Sequence, residues 1–496
     1  MAENQTEEEN LKVAVAHTIK WNVIDRVSSQ VLYAITGIVL ARMLSQEDFG
    51  LVTAILVFQA FASLFIDSGF SSALIQRKEP TRLDYSTVLW FNLGMAVVLY
   101  IILFFASPLI AQLFGGDERL IPLARVMFLS FILNASAIVQ TNILMKRMEV
   151  RMVAVSNSIG LIAGSVVGIG LAVTGWGAWA MVWQTIAIGA VKSVILWLTG
   201  GWRPLWAFSS ESLRSCFAVG SGVMFSSFLN TAFQNISGFI IGLKAGLVPL
   251  GYYGQADKWS KMGVMSLSQV LTASFLPLLS KVQDDPERYV RMCVKTHRFT
   301  AYLLFPAMGL LILMARPVFH TLFGTKWDAS IILFQILLGQ GVFTVLMLLY
   351  RNYILGLGKA KLLVVTEIVR DVAAIVAIVI VFPYIGLESP ESPVEGLKYL
   401  LCGQFVASAL TWGVTLYYVI RLTNRGLREY VFDIMPYFFQ TVLISILCVF
   451  IGNLDLQPLI ICLLQSVTFV CLYLGGNFLM NSKIQRDAID YLKGRL

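Results

Sequence analysis

Apolar stretches of about 20 residues recur along the whole chain, and each is long enough to cross a bilayer as an α-helix. Short polar connections separate them, and the longest, 281–297, has no room for a folded soluble domain. The pattern predicts an all-α polytopic membrane protein of about 14 transmembrane helices. The predicted spans are 21–44, 49–75, 84–107, 119–143, 153–174, 177–199, 217–243, 250–280, 298–323, 327–356, 361–383, 397–420, 433–452 and 457–480.

A weak internal repeat divides this series of spans. The segment ARMLSQEDFG (41–50) aligns with GLKAGLVPLG (242–251), and the same offset aligns TG at 36–37 with SG at 237–238. An even number of spans separates the copies, so both would have the same orientation, as in transporters built from parallel repeats. The alternative is a chance match of small residues. We expect an N-terminal six-helix bundle at 1–200, a C-terminal six-helix bundle at 201–424, an extra helix pair at 425–480 and a cytoplasmic tail at 481–496.

The composition requires the bilayer as part of the solvent. Of the 496 residues, 57% are hydrophobic and 13% are charged, whereas soluble domains carry about 25% charged residues. The net charge of +8 comes largely from basic clusters in alternate connections, such as QRKEPTR (76–82) and MKRMEVR (145–151). These connections and both termini are therefore predicted to be cytoplasmic. The basic clusters do not alternate with stacking aromatics, so nucleic-acid binding is not expected.

The chain carries no recognisable catalytic or metal-binding motif. Its six cysteines lack C-x-x-C spacing, and its three histidines are scattered, which disfavours a metal site and a disulfide framework. Motifs of the types G-x-S-x-G, H-E-x-x-H, G-x-G-x-x-G and the Walker loop are absent. We therefore expect a transporter without a cofactor, and not an enzyme.

Two predicted spans carry a polar stripe on one face. In span 1 the stripe includes Gln30 and Tyr33, and in span 7 it includes Asn230 and Gln234. The spacing is that of one helical face. We expect the two stripes to line a water-filled cavity between the bundles. The alternative is helix–helix hydrogen bonding inside each bundle.

Charges inside predicted spans need a reason, since each costs about 2.5–3.5 kcal/mol on insertion scales. Arg26, Lys258, Lys261 and Arg351 are the candidates for binding an anionic substrate, because guanidinium and ammonium groups suit phosphate oxygens. Snorkelling to an interface is the alternative for the lysines. In contrast, Glu367, Arg370 and Asp371 share one face of span 11 and are interpreted as a structural trio.

Several segments resemble one family of transporters. TGIVLARMLSQEDFGLVTAILVF (36–58) resembles the first two helices of Wzx-type polysaccharide flippases. The resemblance continues in DSGFSSALIQR (67–77), LMKRMEVR (144–151) and LGYYGQADKWSKM (250–262), and it runs over nearly the whole chain. These flippases belong to the multidrug/oligosaccharidyl-lipid/polysaccharide (MOP) exporter superfamily.

The resemblance implies two six-helix bundles that face each other as an inverted V, often with an extra helix pair. It implies alternating access of a central cationic cavity, and movement of a polyprenyl-diphosphate-linked oligosaccharide across the bacterial inner membrane for export of a capsule, exopolysaccharide or O-antigen. Membrane lipid and polysaccharide polymerase or assembly proteins would be partners. A proton or sodium gradient often drives such proteins, and Asp25, Asp67 and Asp257 are the carboxylates to test for coupling.

Three other functions stay open at this point. A small-molecule or drug exporter of the same superfamily would share the fold, but its cavity should favour carboxylates and aromatics over several cations. A membrane-embedded polymerase or ligase would need a large outer loop, and the predicted outer loops are short. A structural scaffold would leave the intramembrane charges without a reason.

Overall fold

The computed structural model describes residues 2–67, 69–272, 275–386, 394–454 and 456–486, and within them the side chains other than those of 2–17, 19, 219, 270, 272 and 277. All regular structure in these residues is helical. The described chain forms two compact units, Met1–Gly251 and Tyr252–Leu496. Most of the predicted tail, 487–496, lies outside the described residues.

The first unit contains nine helices in the part of the chain that the structure describes. They are α1 (Ala2–Met43), α2 (Gln46–Asp67), α3 (Phe70–Gln76), α4 (Arg82–Leu113), α5 (Leu120–Met127), α6 (Ser130–Lys146), α7 (Val150–Val173), α8 (Trp179–Thr199) and α9 (Ser210–Lys244). A tenth, α10 (Leu247–Thr272), begins in this unit and continues into the second.

Glycines allow α7 and α8 to pack closely. A methyl group added at Gly164 would overlap the side chain of Ile188, and one at Gly160 would lie 3.0 Å from the carbonyl oxygen of that residue. At Gly168 the added methyl would lie 3.0 Å from Cβ of Gln184. These glycines therefore serve helix packing, as small residues commonly do in membrane helices. Helix α1 packs on the α7 side of this pair.

Helix α9 is bent and packs against α2, α3 and α4. Its parts Ser210–Ala218 and Gly220–Lys244 meet at 52°. The first part is fastened to its neighbours because Arg77 Nη2 donates to Ser215 Oγ at 2.6 Å, and Ser212 donates to Asp84. The second bundle was expected to begin at residue 201, yet α9 lies in the unit that ends at Gly251. The predicted domain boundaries stay predictions.

The second unit continues from α10. It contains α11 (Phe275–Ser280), α12 (Pro286–Leu313), α13 (Ala315–Leu322), α14 (Asp328–Gly356), α15 (Lys361–Val381), α16 (Glu395–Thr423), α17 (Leu427–Gly452) and α18 (Pro458–Leu479). Asp285 caps α12 by accepting from Arg288 N, and Pro286 occupies the first turn, where its missing N–H is not needed.

The last helix pair, α17 and α18, is bound to α12 by polar contacts. Arg298 forms an ion pair with Asp433 at 2.5 Å, and Tyr473 OH donates to the carbonyl oxygen of Tyr302 at 2.8 Å. Buried apolar side chains of the three helices, including Ile444 and Phe469, form a shared core. The pair predicted at 425–480 is therefore an integral part of the second unit.

Within the described residues, eleven helices are long and apolar enough to cross a membrane, or twelve if the bent α9 counts as one span. Two more long helices, α10 and α15, coincide with predicted spans 8 and 11. Each carries at least three charged residues, which lowers its apolar character. The count of fourteen therefore stays a prediction.

Candidate functional site

Polar side chains of α1, among them Thr36 of the predicted stripe, face α7. Ser28 Oγ lies 3.2 Å from Ser158 Oγ, and Thr36 Oγ1 lies 2.5 Å from Ser165 Oγ. We call these four residues the hydroxyl ladder. This part of the stripe makes helix–helix hydrogen bonds, which was the alternative to a cavity.

Asp25 lies on the same side of α1 and is held by α7. Asn157 Nδ2 lies 3.2 and 3.3 Å from the two carboxylate oxygens, and Ser29 Oγ lies 3.5 Å from one of them. Lys192 on α8 is half-buried and interacts electrostatically with Asp25. The carboxylate of Asp25 thus contacts an amide, with an ammonium group farther away in the same unit, and we call Asp25, Asn157 and Lys192 the Asp25 cluster. Intramembrane carboxylates of this kind often belong to ion or proton pathways.

The other side of α1 presents three of the predicted substrate-binding residues. Arg26 and Tyr33 are exposed, and Gln30 is half-buried. Arg26 makes no ion pair with any residue that the structure describes. Its guanidinium is therefore available to an anionic ligand, whereas the carboxylate of Asp25 is held by Asn157.

The polar stripe of α9 is exposed while another part of the helix packs. Asn230 and Gln234 are both exposed, and Gln234 Nε2 donates to Asn230 Oδ1 at 3.4 Å. The ring of Phe228 lies 5.7 Å from the rings of both Phe61 and Phe65 on α2. The aromatic contacts fix α9 against α2 and leave the two amides open to solvent or ligand.

Asp67 has a structural partner at the break between α2 and α3. Its Oδ1 accepts from Ser71 Oγ at 2.5 Å and from Ser71 N at 3.3 Å. Asn142 Nδ2 in turn donates to Ser71 Oγ at 2.9 Å. The carboxylate therefore satisfies the free N–H of the new helix start, and this engagement accounts for its presence without ion coupling.

On α10 the predicted charges are divided between two faces. Lys261 Nζ lies 2.7 Å from Asp257 Oδ2, so these two side chains neutralise each other. Lys258 is exposed, and its ammonium lies 5.7 Å from the ring centre of Trp259. Among the described residues, Lys258 has no carboxylate partner and is the more available cation.

Arg351 on α14 lies close to the charged face of α15. Its Nη1 is 3.6 Å from Glu367 Oε1, a long contact between two side chains that are each about half exposed. Arg370 pairs with Asp371 at 2.9 Å. Of the trio expected on α15, Arg370 and Asp371 form a pair, whereas Glu367 contacts Arg351 on α14.

Sequence reasoning missed Asn157, the main partner of Asp25. The available signal was the polar run SNS at 156–158 in an otherwise apolar span. Arg26, Gln30, Tyr33, Asn230 and Gln234 belong to the first unit, and Lys258, Lys261 and Arg351 to the second. Whether they share one cavity stays a prediction. Across the described ranges, no group of three or more His, Cys, Asp or Glu residues is arranged to hold a metal ion.

Residues 39–332, more than half of the chain, match the family described as polysaccharide biosynthesis protein. The chain belongs to this family. The chain is 27% identical over 361 residues to the succinoglycan biosynthesis transport protein ExoT of Rhizobium meliloti (strain 1021), covering 72% of each chain. It is 28% identical over 331 residues to the lipopolysaccharide biosynthesis protein WzxC of Escherichia coli (strain K12), covering 65% of this chain and 66% of the relative.

Solved structures agree on the fold of this family member. The lipid II flippase MurJ in an inward closed conformation superposes with a TM-score of 0.74 at 14% identity, covering 95% of this chain and all of that one. An inward-facing multidrug resistance MATE transporter of the MOP superfamily gives 0.61 at 16% identity, covering 81% and 99%. The predicted MOP-type, all-α fold and the resemblance to Wzx-type polysaccharide flippases are confirmed. The chain is a multi-pass membrane protein. The family match and the sequence relatives confirm the prediction of a transporter rather than an enzyme.

Proposed function

We propose that this protein moves a polyprenyl-diphosphate-linked oligosaccharide repeat unit across the bacterial inner membrane by alternating access. The translocated unit would be used to build a surface polysaccharide such as a capsule, an exopolysaccharide or an O-antigen. Family membership and the relatives' names support a transporter in polysaccharide biosynthesis over a drug exporter. Polysaccharide polymerase and assembly proteins would receive the translocated unit.

The observation that carries the proposal is the exposed guanidinium of Arg26 on a membrane helix, which forms no ion pair with any described residue. An intramembrane charge without a protein partner is costly unless a ligand or water offsets the cost. A diphosphate is the ligand whose paired oxygens suit Arg. Lys258 would add a second cation, and Lys261 and Arg351 would add theirs once they leave Asp257 and Glu367. Gln30, Tyr33, Asn230 and Gln234 would contact the sugars.

The basic connections support an orientation with both termini in the cytoplasm. In that orientation the connections that precede α2 and α10 lie on the outer side. The substrate would then enter from the cytoplasmic leaflet and leave to the outer leaflet.

Among the predicted coupling carboxylates, Asp25 is the one whose surroundings suit reversible binding of a proton or Na⁺. Its partners are an amide, a hydroxyl and a more distant ammonium group. Asp67 is engaged in capping α3 and Asp257 in an ion pair. We therefore place gradient coupling at the Asp25 cluster.

The experiment is a flipping assay in liposomes with a fluorescent polyprenyl-diphosphate oligosaccharide. The accessibility of the label on the opposite face is followed over time for wild type, Arg26→Ala and Arg351→Ala. Loss of one charge-assisted contact, worth about 1.5–3 kcal/mol, should reduce flipping about tenfold or more. Arg316→Ala on α13 is the matched control, because that side chain is also exposed and is not among the predicted substrate-binding residues.

Two outcomes would refute the proposal in different ways. Full flipping by well-folded Arg26→Ala and Arg351→Ala would remove the diphosphate from these residues. No flipping by wild type, with or without a proton or Na⁺ gradient, would favour the small-molecule exporter, and organic cations would be the next substrates.

A further inference from the structure

The first turns of α2 and α10 approach each other through backbone atoms. A methyl group added at Gly50 would overlap the carbonyl group of Leu247. One added at Gly251 would overlap the carbonyl oxygen of Gln46 and lie 3.1 Å from the nitrogen of Gly50. Only glycine permits this approach, and we call the contact the glycine crossing.

The glycine crossing is reciprocal in sequence. The offset that aligns the segments 41–50 and 242–251 carries Gln46 to Leu247 and Gly50 to Gly251. Gly50 meets Leu247, and Gly251 meets Gln46. The two contacts are therefore equivalent under the offset of the repeat. A contact in which equivalent residues exchange roles is what a two-fold axis produces between two copies of one unit. The crossing is thus a self-complementary contact between the two copies of the repeat.

The surroundings of the crossing are apolar and buried. Leu51 and Leu250, which follow and precede the two glycines, are 1% and 0% exposed. The contact itself uses backbone atoms, so the two helices meet here without an intervening side chain. A close, buried backbone contact is suited to a seal that opens and closes.

Two other helical glycines of the first unit, Gly94 and Gly222, make no such approach. An added methyl group at Gly94 on α4 or at Gly222 on α9 would meet no atom within 4 Å. Glycine at 50 and 251 is therefore tied to the crossing and is not a general requirement of these membrane helices.

We propose that the glycine crossing is the closing contact at the outer end of the transport path, formed when the two copies of the repeat meet and broken when the path opens outward. The inference rests on the proposed alternating access and on the proposed orientation. It adds the residues that close the path and the reason they must be glycine.

Alanine at position 50 or 251 adds a methyl group that the closed contact has no room for. Overpacking of this size shifts an equilibrium by roughly 5- to 150-fold, here toward the outward-open state. Because both glycines serve one contact, Gly50→Ala and Gly251→Ala should have similar effects, and the double variant should show little more than one of them. Independent sites would instead give a product of the two effects.

The test is accessibility to a membrane-impermeant maleimide added from outside to right-side-out vesicles. A single cysteine replaces exposed Asn230 in a variant without the six native cysteines. Gly50→Ala and Gly251→Ala should each raise the labelling rate several-fold, the double variant no further, and Gly94→Ala should match the parent. Unchanged labelling in folded alanine variants, or multiplicative effects, would overturn the proposal.

A second measurement leaves both glycines in place, in case alanine prevents folding. Spin labels at exposed Met43 and Val248, which flank the crossing, report the distance between its two sides. Two populations whose ratio changes with a proton or Na⁺ gradient are expected. One unchanging distance under all conditions would make the crossing a static packing contact and refute the proposal. Neither measurement uses substrate, so a failure of the flippase assignment would be seen separately.

Discussion

Replacing Asp433 with Asn tests how the last helix pair is held. The Asp433 side chain is 5% exposed and lies between two arginines, with Arg298 at 2.5 Å and Arg425 at 3.1 Å. Arg425 also contacts Glu429 at 2.9 Å. Burial lowers the pKa of Arg425, but its bonds to Asp433 and Glu429 outweigh burial and raise that pKa overall. The amide would keep the shape of the carboxylate and remove the charge that both arginines need.

The size of the effect follows from the exposures. Removing one partner of a buried ion pair costs about 3–5 kcal/mol. Arg298 is 42% exposed and would be partly solvated by water, so we expect Asp433→Asn to lose about 2–3 kcal/mol. Glu429→Gln is the matched control, because its side chain is 56% exposed and such surface pairs contribute about 0–1 kcal/mol.

The assay is thermal unfolding of the detergent-solubilised protein, followed by tryptophan fluorescence at one fixed scan rate. If the second unit unfolds on its own, the expected loss lowers Tm by roughly 4–6 °C. Glu429→Gln should melt within about 2 °C of wild type. An Asp433→Asn protein as stable as wild type, or equal losses in both variants, would refute the special contribution of the buried carboxylate.

Two further predictions concern the first unit. Asn157→Ala should reduce gradient-driven flipping about tenfold, since one hydrogen bond to a charged group is lost. Ser158→Ala is the control and should leave the rate unchanged. Equal flipping rates of the two variants in liposomes would contradict the coupling role of Asp25. The hydrogen bonds from Arg119 lower the pKa of Asp117 from its ordinary 3.8, so the stabilisation from this contact is present above that pH and is lost only as the pH falls below it. Pepsin should therefore cut the loop at 114–119 in Arg119→Gln at a higher pH than in wild type, and identical cleavage profiles would refute the pKa argument.

Apolar periodicity located the helices because the length of a span is a local property. Predicted span 119–143 appears as α5 and α6, with the helix interrupted near Leu129, and predicted span 298–323 appears as part of α12 followed by α13. Such breaks depend on packing against neighbours. The sequence carried no strong turn signal at Leu129, which made the first break unpredictable.

Partners across the fold were much harder to predict than helices. The stripe on α1 was recognised as polar, but periodicity gives the face and not the neighbour that it meets. Asp25 finds Asn157 over a separation of 132 residues, and no local rule connects them. The resemblance to the flippases supplied the fold, and the structure divided the stripe into a part that binds α7 and a part that stays open.

The hydroxyl ladder has a consequence for how the chain is made. The first candidate span, Lys20–Met43, is less hydrophobic than most of the others, and Asp25 adds about 2.5–3.5 kcal/mol to its insertion cost. Its partners on α7 are synthesised about 130 residues later, which takes roughly 10 s at bacterial elongation rates. During that interval Ser28, Thr36 and Asp25 lack their partners on α7. Helix α1 would therefore become stably embedded only when the fifth predicted span arrives, and the insertion machinery would shelter it until then.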